Sequence, residues 1–262
     1  MAAPSCFRGA FLIAYPILAA LAGLLVGSFL NVVIYRLPRH ESLLWPGSHC
    51  TACGTPVKPY DNVPVLAWLW LRGHCRSCRL HISVRYPIVE GGTAGLCAAV
   101  VATRSSAAGL ALGLILVLTI VPVALIDFDH HVIPNKITLP AAALALALGT
   151  ALDPGGEPAR LIACAAAGGF LLLAHLASPR GMGMGDVKLA ALLGLLLGRA
   201  VAPALLCALL IAVVVGVVML ARATPGERRG VGVPFGPFLA LGALVGLFAG
   251  STLMGAYLHH LV

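Results

Sequence analysis

The sequence predicts an all-α polytopic membrane protein with about eight transmembrane helices and a small cytoplasmic zinc-binding insertion after the first helix. The first observation is the composition: 60% of the 262 residues are hydrophobic and only 10% are charged, whereas about 25% of residues are charged in soluble domains. The second is a series of apolar runs that approach the roughly 20 residues needed by a membrane-spanning helix. The third is one polar block, residues 34–86, which contains two pairs of cysteines.

The apolar runs set the predicted order of the helices. The first span covers residues 11–33, and the polar block separates it from seven further spans. These seven are residues 87–103, 108–126, 137–152, 159–177, 187–197, 201–221 and 234–258. Residues 187–197 cover only about half a bilayer at 1.5 Å per residue, and the Gly198-Arg199 pair separates them from the next run. We therefore predict three parts: a first transmembrane helix (1–33), a cytoplasmic zinc-binding domain with four cysteine ligands (34–86) and a seven-helix membrane domain (87–262).

The basic residues predict the orientation of the chain in the membrane. With the N-terminus outside, only four of the 17 lysines and arginines fall on the outer side, and these are Arg8, Arg104, Arg160 and Arg199. This is the bias that places basic loops on the cytoplasmic side. It also accounts for the net charge of +8 without nucleic-acid binding, which we exclude because no basic stripe carries interleaved aromatic residues.

Two C-x2-C pairs lie in the polar block, at Cys50 and Cys53 and at Cys75 and Cys78. Four cysteines in two such pairs are typical of a structural zinc site, in which all four tetrahedral positions are filled by thiolates. A block of this size buries little core, so a metal would also stabilise it. Two disulfides or a redox pair are the alternatives, and the reducing cytoplasm disfavours structural disulfides.

Two acidic residues stand at the edges of apolar runs. Asp127 ends one run, and Asp186 follows Gly183 and Gly185 in a glycine-rich loop. Carboxylates at such positions are costly and are functional candidates by default. A pair of them can divide the roles of acid and base, so the sequence predicts an aspartyl protease built into a membrane. The alternative is that both are solvated loop charges.

The residues around the two aspartates refine this prediction. Asp127 is nearer the apolar run than Asp129, so it is the better buried candidate. A phosphate-binding loop is disfavoured because no Gly-Lys-Ser/Thr ending follows the glycines. Lys188 is predicted to be an inner-face anchor or the partner of a carboxylate, and with Gly183 and Gly185 it would support the active-site loop.

These motifs together resemble the bacterial type IV prepilin peptidases, which are membrane aspartic peptidases with a Gly-x-Gly-Asp motif. The resemblance covers nearly the whole chain. The matching stretches are Gly27–Pro38, both cysteine pairs, Arg72–Arg76, Ile82–Glu90, Ile126–Pro134 and Gly183–Leu189. One departure is Asn135, where many members have aspartate.

The resemblance implies an inner-membrane enzyme whose active site lies at the cytoplasmic face. Such an enzyme cleaves the leader peptide of type IV prepilins or type II secretion pseudopilins with an aspartyl dyad, here Asp127 and Asp186. It then N-methylates the new N-terminal residue, with S-adenosylmethionine as the methyl donor. The cofactors implied are therefore structural zinc and S-adenosylmethionine, and the resemblance assigns no residues to the latter. Residues 87–262 would form the peptidase domain.

Two other functions compete with this one. An ion or solute transporter could use the intramembrane aspartates as coupling sites, but it predicts a repeat symmetry that the sequence does not show. A structural scaffold of a secretion apparatus needs no aspartate pair. Cleavage of a prepilin by the purified protein separates the enzyme from both alternatives.

Overall fold

The computed structural model describes residues 5–179, 182–222 and 234–259. The chain divides into two compact units, Met1–Ser105 and Ser106–Val262. In the described ranges both units are built from helices, without strands, and β pairing is limited to two isolated bridges. The all-α prediction is confirmed.

The first unit contains two long apolar helices, α1 (Ser5–Arg36) and α3 (Arg85–Thr103), which pack against each other. Glycines bring their backbones together: a Cβ on Gly27 would lie 2.8 Å from Cα of Glu90. Small residues allow membrane helices to approach this closely. The polar block connects the two helices and contains a five-residue helix, α2 (Leu66–Trp70). Both ends of the block are therefore fixed to one helix pair.

The second unit contains six helices among its described residues. They are α4 (Ala107–His130), α5 (Asn135–Leu152), α6 (Glu157–Ala177), α7 (Met184–Leu197), α8 (Val201–Arg222) and α9 (Gly236–His259). Helix α7 lies at the centre, because it contacts α4, α5, α6, α8 and α9. Its apolar side chains are buried on nearly all sides, as expected of a helix that is hydrophobic all round.

Helix α7 is separate from α8, as the sequence predicts. Gly198 adopts φ 56° and ψ −132°, a conformation that is essentially restricted to glycine. A short 3₁₀ turn, Gly198–Ala200, then leads into α8. Helix α7 has 14 residues, which is about 21 Å at 1.5 Å per residue. It is therefore shorter than the roughly 30 Å hydrocarbon core of a bilayer.

Each of the eight predicted spans corresponds to one long helix in the described residues. By length and composition six segments could cross a membrane, and the last of them, Met184–Arg222, contains both α7 and α8. A shorter apolar helix, Gly236–Gly250, follows. The protein is thus a multi-pass membrane protein. Several helix ends differ from the predicted spans by a few residues. The difference that bears on the site is at α4, which continues past Ile126 to His130, because His131 adopts the left-handed conformation and its N–H closes the helix on the Asp127 carbonyl.

Candidate active site and cysteine cluster

Asp127 lies in the last turn of α4, and its side chain is buried at 5% exposure. Its Oδ2 accepts a hydrogen bond of 2.8 Å from the backbone N–H of Gly236. Gly236 is the first residue of α9, so the bond comes from the end of a helix whose free N–H groups favour a negative charge. Helix α9 therefore fixes the orientation of this carboxyl group.

Asp186 lies in the first turn of α7 and is buried at 7% exposure. Its Oδ2 accepts a hydrogen bond of 3.1 Å from the N–H of Gly183, the residue that caps the helix. The loop approaches another chain segment here, because a Cβ on Gly185 would lie 3.0 Å from Cβ of Ile133. The predicted glycine-rich loop thus opens directly into a helix that carries the aspartate.

Both aspartates line one cavity of about 240 Å³ in the second unit. The remaining lining residues come from the segment between α4 and α5 and from the start of α7, and they are His131, Val132, Ile133, Asn135, Gly183, Gly185 and Lys188. Two carboxyl groups on one cavity can act as an acid and a base on the same bound molecule. The cavity is therefore a candidate hydrolytic site.

Lys188 does not pair with a carboxylate among the described residues. Its Nζ donates a hydrogen bond of 3.2 Å to Oδ1 of Asn135. This contact joins the start of α7 to the start of α5 across the cavity. Asn135, which stands where many members of the resembled family have aspartate, thus accepts a hydrogen bond from Lys188.

Asp129 is exposed, and so are His130 and His131. This agrees with the prediction that Asp127 is the buried member of its segment. The difference follows from helical geometry, because residues two positions apart point to different sides of a helix. Asp129 does not line the cavity.

The four cysteines of the polar block form one cluster, and their sulfur atoms all lie within 4.8 Å of one another. The Cys50 and Cys78 sulfurs are 3.8 Å apart. Tetrahedral zinc with Zn–S bonds of about 2.3 Å requires sulfurs about 3.8 Å apart, so the cluster fits this ion. Side-chain and backbone hydrogen bonds with Thr55 lower the pKa of Cys53 to about 6, whereas desolvation and hydrogen bonds with the other three cysteines raise the pKa of Cys78 to about 11.

The two cysteine pairs have the same local structure. Cys50 N–H bonds to Thr55 carbonyl and Cys75 N–H bonds to Leu80 carbonyl, each five residues further along the chain. The residue after each pair, Gly54 or Arg79, has a positive φ. This repeated turn brings the two sulfurs of each pair to one side and explains why the C-x2-C spacing predicts the cluster.

Comparison with known proteins decides the family. A profile described as the bacterial peptidase A24 N-terminal domain matches residues 21–104, and one described as the type IV leader peptidase family matches residues 111–221. A prepilin leader peptidase/N-methyltransferase of Pseudomonas putida is 37% identical over an alignment of 268 positions, gaps included, which covers 90% of this chain and 91% of the relative. The chain belongs to the type IV leader peptidase family.

Other members of the family show similar likeness. Proteins with the same name from Aeromonas hydrophila and Pseudomonas aeruginosa are 33% and 34% identical. The Aeromonas hydrophila match covers 92% of this chain and 93% of that protein. The Pseudomonas aeruginosa match covers 94% of this chain and 94% of that protein. No solved structure matched the chain.

Sequence reasoning missed Gly236 in this leader peptidase fold. The donor to Asp127 is a backbone N–H, which every residue except proline has, and it lies 109 positions away in the chain. The only available signal was the position of Gly236 between Phe235 and Pro237 at the start of the last apolar run. That pattern indicates a helix start, but it does not indicate what the helix faces.

Sequence reasoning also missed the contacts of Arg160. It placed this residue at the outer end of the predicted span 159–177, and in the structure Arg160 lies in the first turn of α6 and is buried at 8% exposure. Its guanidinium bonds to Oε2 of Glu157 at 2.8 Å, to Oδ2 of Asp153 at 2.7 Å and to the carbonyl of Gly149 at 3.0 Å. Arginine can be buried where its donors find this many acceptors.

Proposed function

We propose that this member of the type IV leader peptidase family cleaves the leader peptide of type IV prepilins or type II secretion pseudopilins. After cleavage it N-methylates the new N-terminal residue. The relatives are named for both activities. The observation that carries the proposal is the cavity lined by two buried carboxyl groups, Asp127 and Asp186. Nothing in the names of these relatives favours the transporter alternative.

Asp127 and Asp186 are proposed to act as the catalytic pair. One carboxylate accepts a proton from water, and the water oxygen bonds to the carbonyl carbon of the scissile peptide. The other carboxyl group gives its proton to the amide nitrogen as the C–N bond breaks. The N–H groups of Gly236 and Gly183 hold the two side chains in place during this exchange.

Gly183, Gly185 and Lys188 are proposed to support the active-site loop. A Cβ on Gly185 would lie only 3.0 Å from Cβ of Ile133, so glycine lets the start of α7 approach the segment between α4 and α5 closely. The bond of Lys188 to Asn135 joins the same two segments. These residues would therefore position the catalytic pair without taking part in the proton transfers.

The zinc ion is proposed to be structural and to be bound by Cys50, Cys53, Cys75 and Cys78. Four thiolates occupy every tetrahedral position and leave none for water. Bound zinc would therefore stabilise the polar block, and catalysis would not depend on it directly. The block, residues 34–86, is proposed to be a separate cytoplasmic domain between the first transmembrane helix (1–33) and the seven-helix peptidase domain (87–262).

S-adenosylmethionine is the proposed donor of the methyl group, and we assign no residues to it. The task of the chain in this step is to hold the new N-terminal amine uncharged, since only the free amine has the lone pair that forms the N–C bond. The carboxyl groups of Asp127 and Asp186 have no chemical part in that transfer.

The active site is proposed to lie at the cytoplasmic face of the bacterial inner membrane. The bias of basic residues supports this orientation, because Lys136 and Lys188 follow the two aspartates closely in sequence. A short polar leader would then stay in the cytoplasm while the apolar pilin segment enters the membrane. The scissile peptide would thereby be level with the cavity. No nucleic acid is proposed to take part.

The test uses the purified full-length protein and a prepilin substrate. Asp127→Asn and Asp186→Asn should each abolish cleavage, because an amide can neither accept nor donate the proton. Asp129→Asn is the matched control, since it changes an exposed aspartate in the same turn of α4 and should retain most of the activity. Substantial cleavage by either of the first two variants would remove that residue from the mechanism. Protein yield and zinc content show whether each variant is folded.

A further inference from the structure

The polar block exposes a group of large apolar side chains. Leu66, Leu69 and Trp70 of α2 are 65%, 58% and 82% exposed. The other side of this short helix faces inward, where Ala67 is buried and Trp68 donates its indole N–H to the Ile82 carbonyl at 3.0 Å. A cluster of this kind on a polar segment indicates a contact surface.

A second apolar pair lies in the loop that follows α1. Leu44 and Trp45 are 87% and 79% exposed. Arg36, the last residue of α1, holds this loop at both ends. Its guanidinium donates to the carbonyl of Ser42 at 2.9 Å and to that of Gly47 at 3.4 Å.

Helix α2 is tied to a membrane helix in a similar way. The N–H of Val65, the residue before α2, donates to Oε2 of Glu90 at 2.7 Å. Glu90 is buried on α3 and lies about 7.5 Å along the helix axis from Arg85, at 1.5 Å per residue. The start of α2 is thus held beside the first turns of α3 and cannot extend far from the membrane surface.

The charges of the block suit a lipid surface. Residues 37–84 contain five basic side chains, Arg39, Lys58, Arg72, Arg76 and Arg79, against two acidic ones, Glu41 and Asp61. Asp61 is already paired with Arg76. Arg72 follows α2 closely in the chain. Basic residues beside a cytoplasmic membrane face are attracted by anionic headgroups.

We propose that the apolar side of α2, formed by Leu66, Leu69 and Trp70, inserts into the boundary between headgroups and acyl chains of the bilayer. The loop residues Leu44 and Trp45 insert with it. Tryptophan favours this region because its ring is apolar and its N–H remains hydrated. A helix of five residues is too short to fill a protein groove with successive turns, whereas a lipid boundary requires no matching shape.

The proposal can be tested with tryptophan fluorescence, because the three tryptophans of the protein, Trp45, Trp68 and Trp70, all lie in this block. The full-length protein is placed in nanodiscs whose phospholipids are brominated near the headgroup end of the acyl chains. The emission lost on bromination is measured for the unchanged protein, for Trp70→Phe and for Trp68→Phe. Trp68→Phe is the matched control because Trp68 is the inward-facing tryptophan of the same helix.

Lipid insertion predicts that Trp70→Phe removes a large part of the fluorescence quenched by bromine. Trp68→Phe should leave the quenched emission unchanged, or make it a larger fraction of the total emission. Aqueous iodide should quench Trp70 weakly. Strong quenching by iodide together with no bromine effect would overturn the proposal, because Trp70 would then face water. Protection from both quenchers would also overturn it, since protein would then cover the helix. Zinc content and thiol protection in each variant confirm that the block is intact.

Discussion

Gly236→Ala should damage the candidate site through a single added methyl group. A Cβ at this position would lie 2.6 Å from Oδ2 of Asp127 and 3.0 Å from its Cβ and Cγ. The backbone itself tolerates alanine, because Gly236 is the first helical residue of α9 and alanine is favourable there. The strain therefore falls on the buried aspartate, which must move away and lose its 2.8 Å hydrogen bond.

The expected loss follows from that bond. A hydrogen bond to a charged group contributes about 1.5–3 kcal/mol. If this free energy holds Asp127 in its reactive orientation, its loss lowers the cleavage rate by roughly 10- to 100-fold, at one factor of ten per 1.4 kcal/mol. The effect should appear in kcat more than in KM, because the carboxyl group acts on the reacting atoms.

The assay compares prepilin cleavage by Gly236→Ala and by Gly255→Ala in purified protein. Gly255 lies on the same helix, and an added Cβ there would meet nothing within 4 Å, so this variant should cleave normally. Methylation of a pilin that has already been cleaved reports on folding and should persist in both variants. Cleavage by Gly236→Ala at the unaltered rate would refute the role of α9 in holding Asp127.

Three further outcomes are expected. Purified protein should contain about one zinc per chain, and Cys50→Ser should lose it; absence of zinc together with four readily alkylated thiols would contradict the cluster. Asp127→Asn should still methylate a pilin supplied without its leader, and loss of both activities in a folded variant would argue against separate chemistries. Arg160→Met should lower the free energy of unfolding by about 3 kcal/mol or more, because it leaves Glu157 buried without its cation. Thermal unfolding checks this, with the exposed Arg199→Met as the control.

The helices could be predicted because their signal is local. Runs of apolar residues and breakers such as Gly198 define where a helix begins and ends. The end of α4 was harder, because Asp127 and Asp129 are polar and still helical. Their place on the helix depends on a left-handed cap at His131, a conformation for which the sequence gives little warning.

The site residues that could be predicted are those whose type and position in the sequence are unusual. Asp127 and Asp186 stand out because a carboxylate beside an apolar run is energetically costly and is therefore a functional candidate. The cysteines stand out by their C-x2-C spacing. Gly236 does not stand out, since its contribution is a backbone N–H. The contacts of Arg160 could not be predicted because their acceptors come from two helices and the turn between them, and only the folded chain shows that they converge on one guanidinium.

The cavity beside Asp127 and Asp186 also bears on how a reaction that consumes water can proceed next to lipid. Each peptide bond cut requires one water molecule, and bulk lipid supplies none. A volume of about 240 Å³ has room for several waters, since one occupies about 30 Å³ in the liquid. The amide of Asn135 and the ammonium group of Lys188 give such waters hydrogen-bonding partners. The same polar residues that bring the helix ends together can therefore keep a small reservoir of reactant beside the two carboxyl groups.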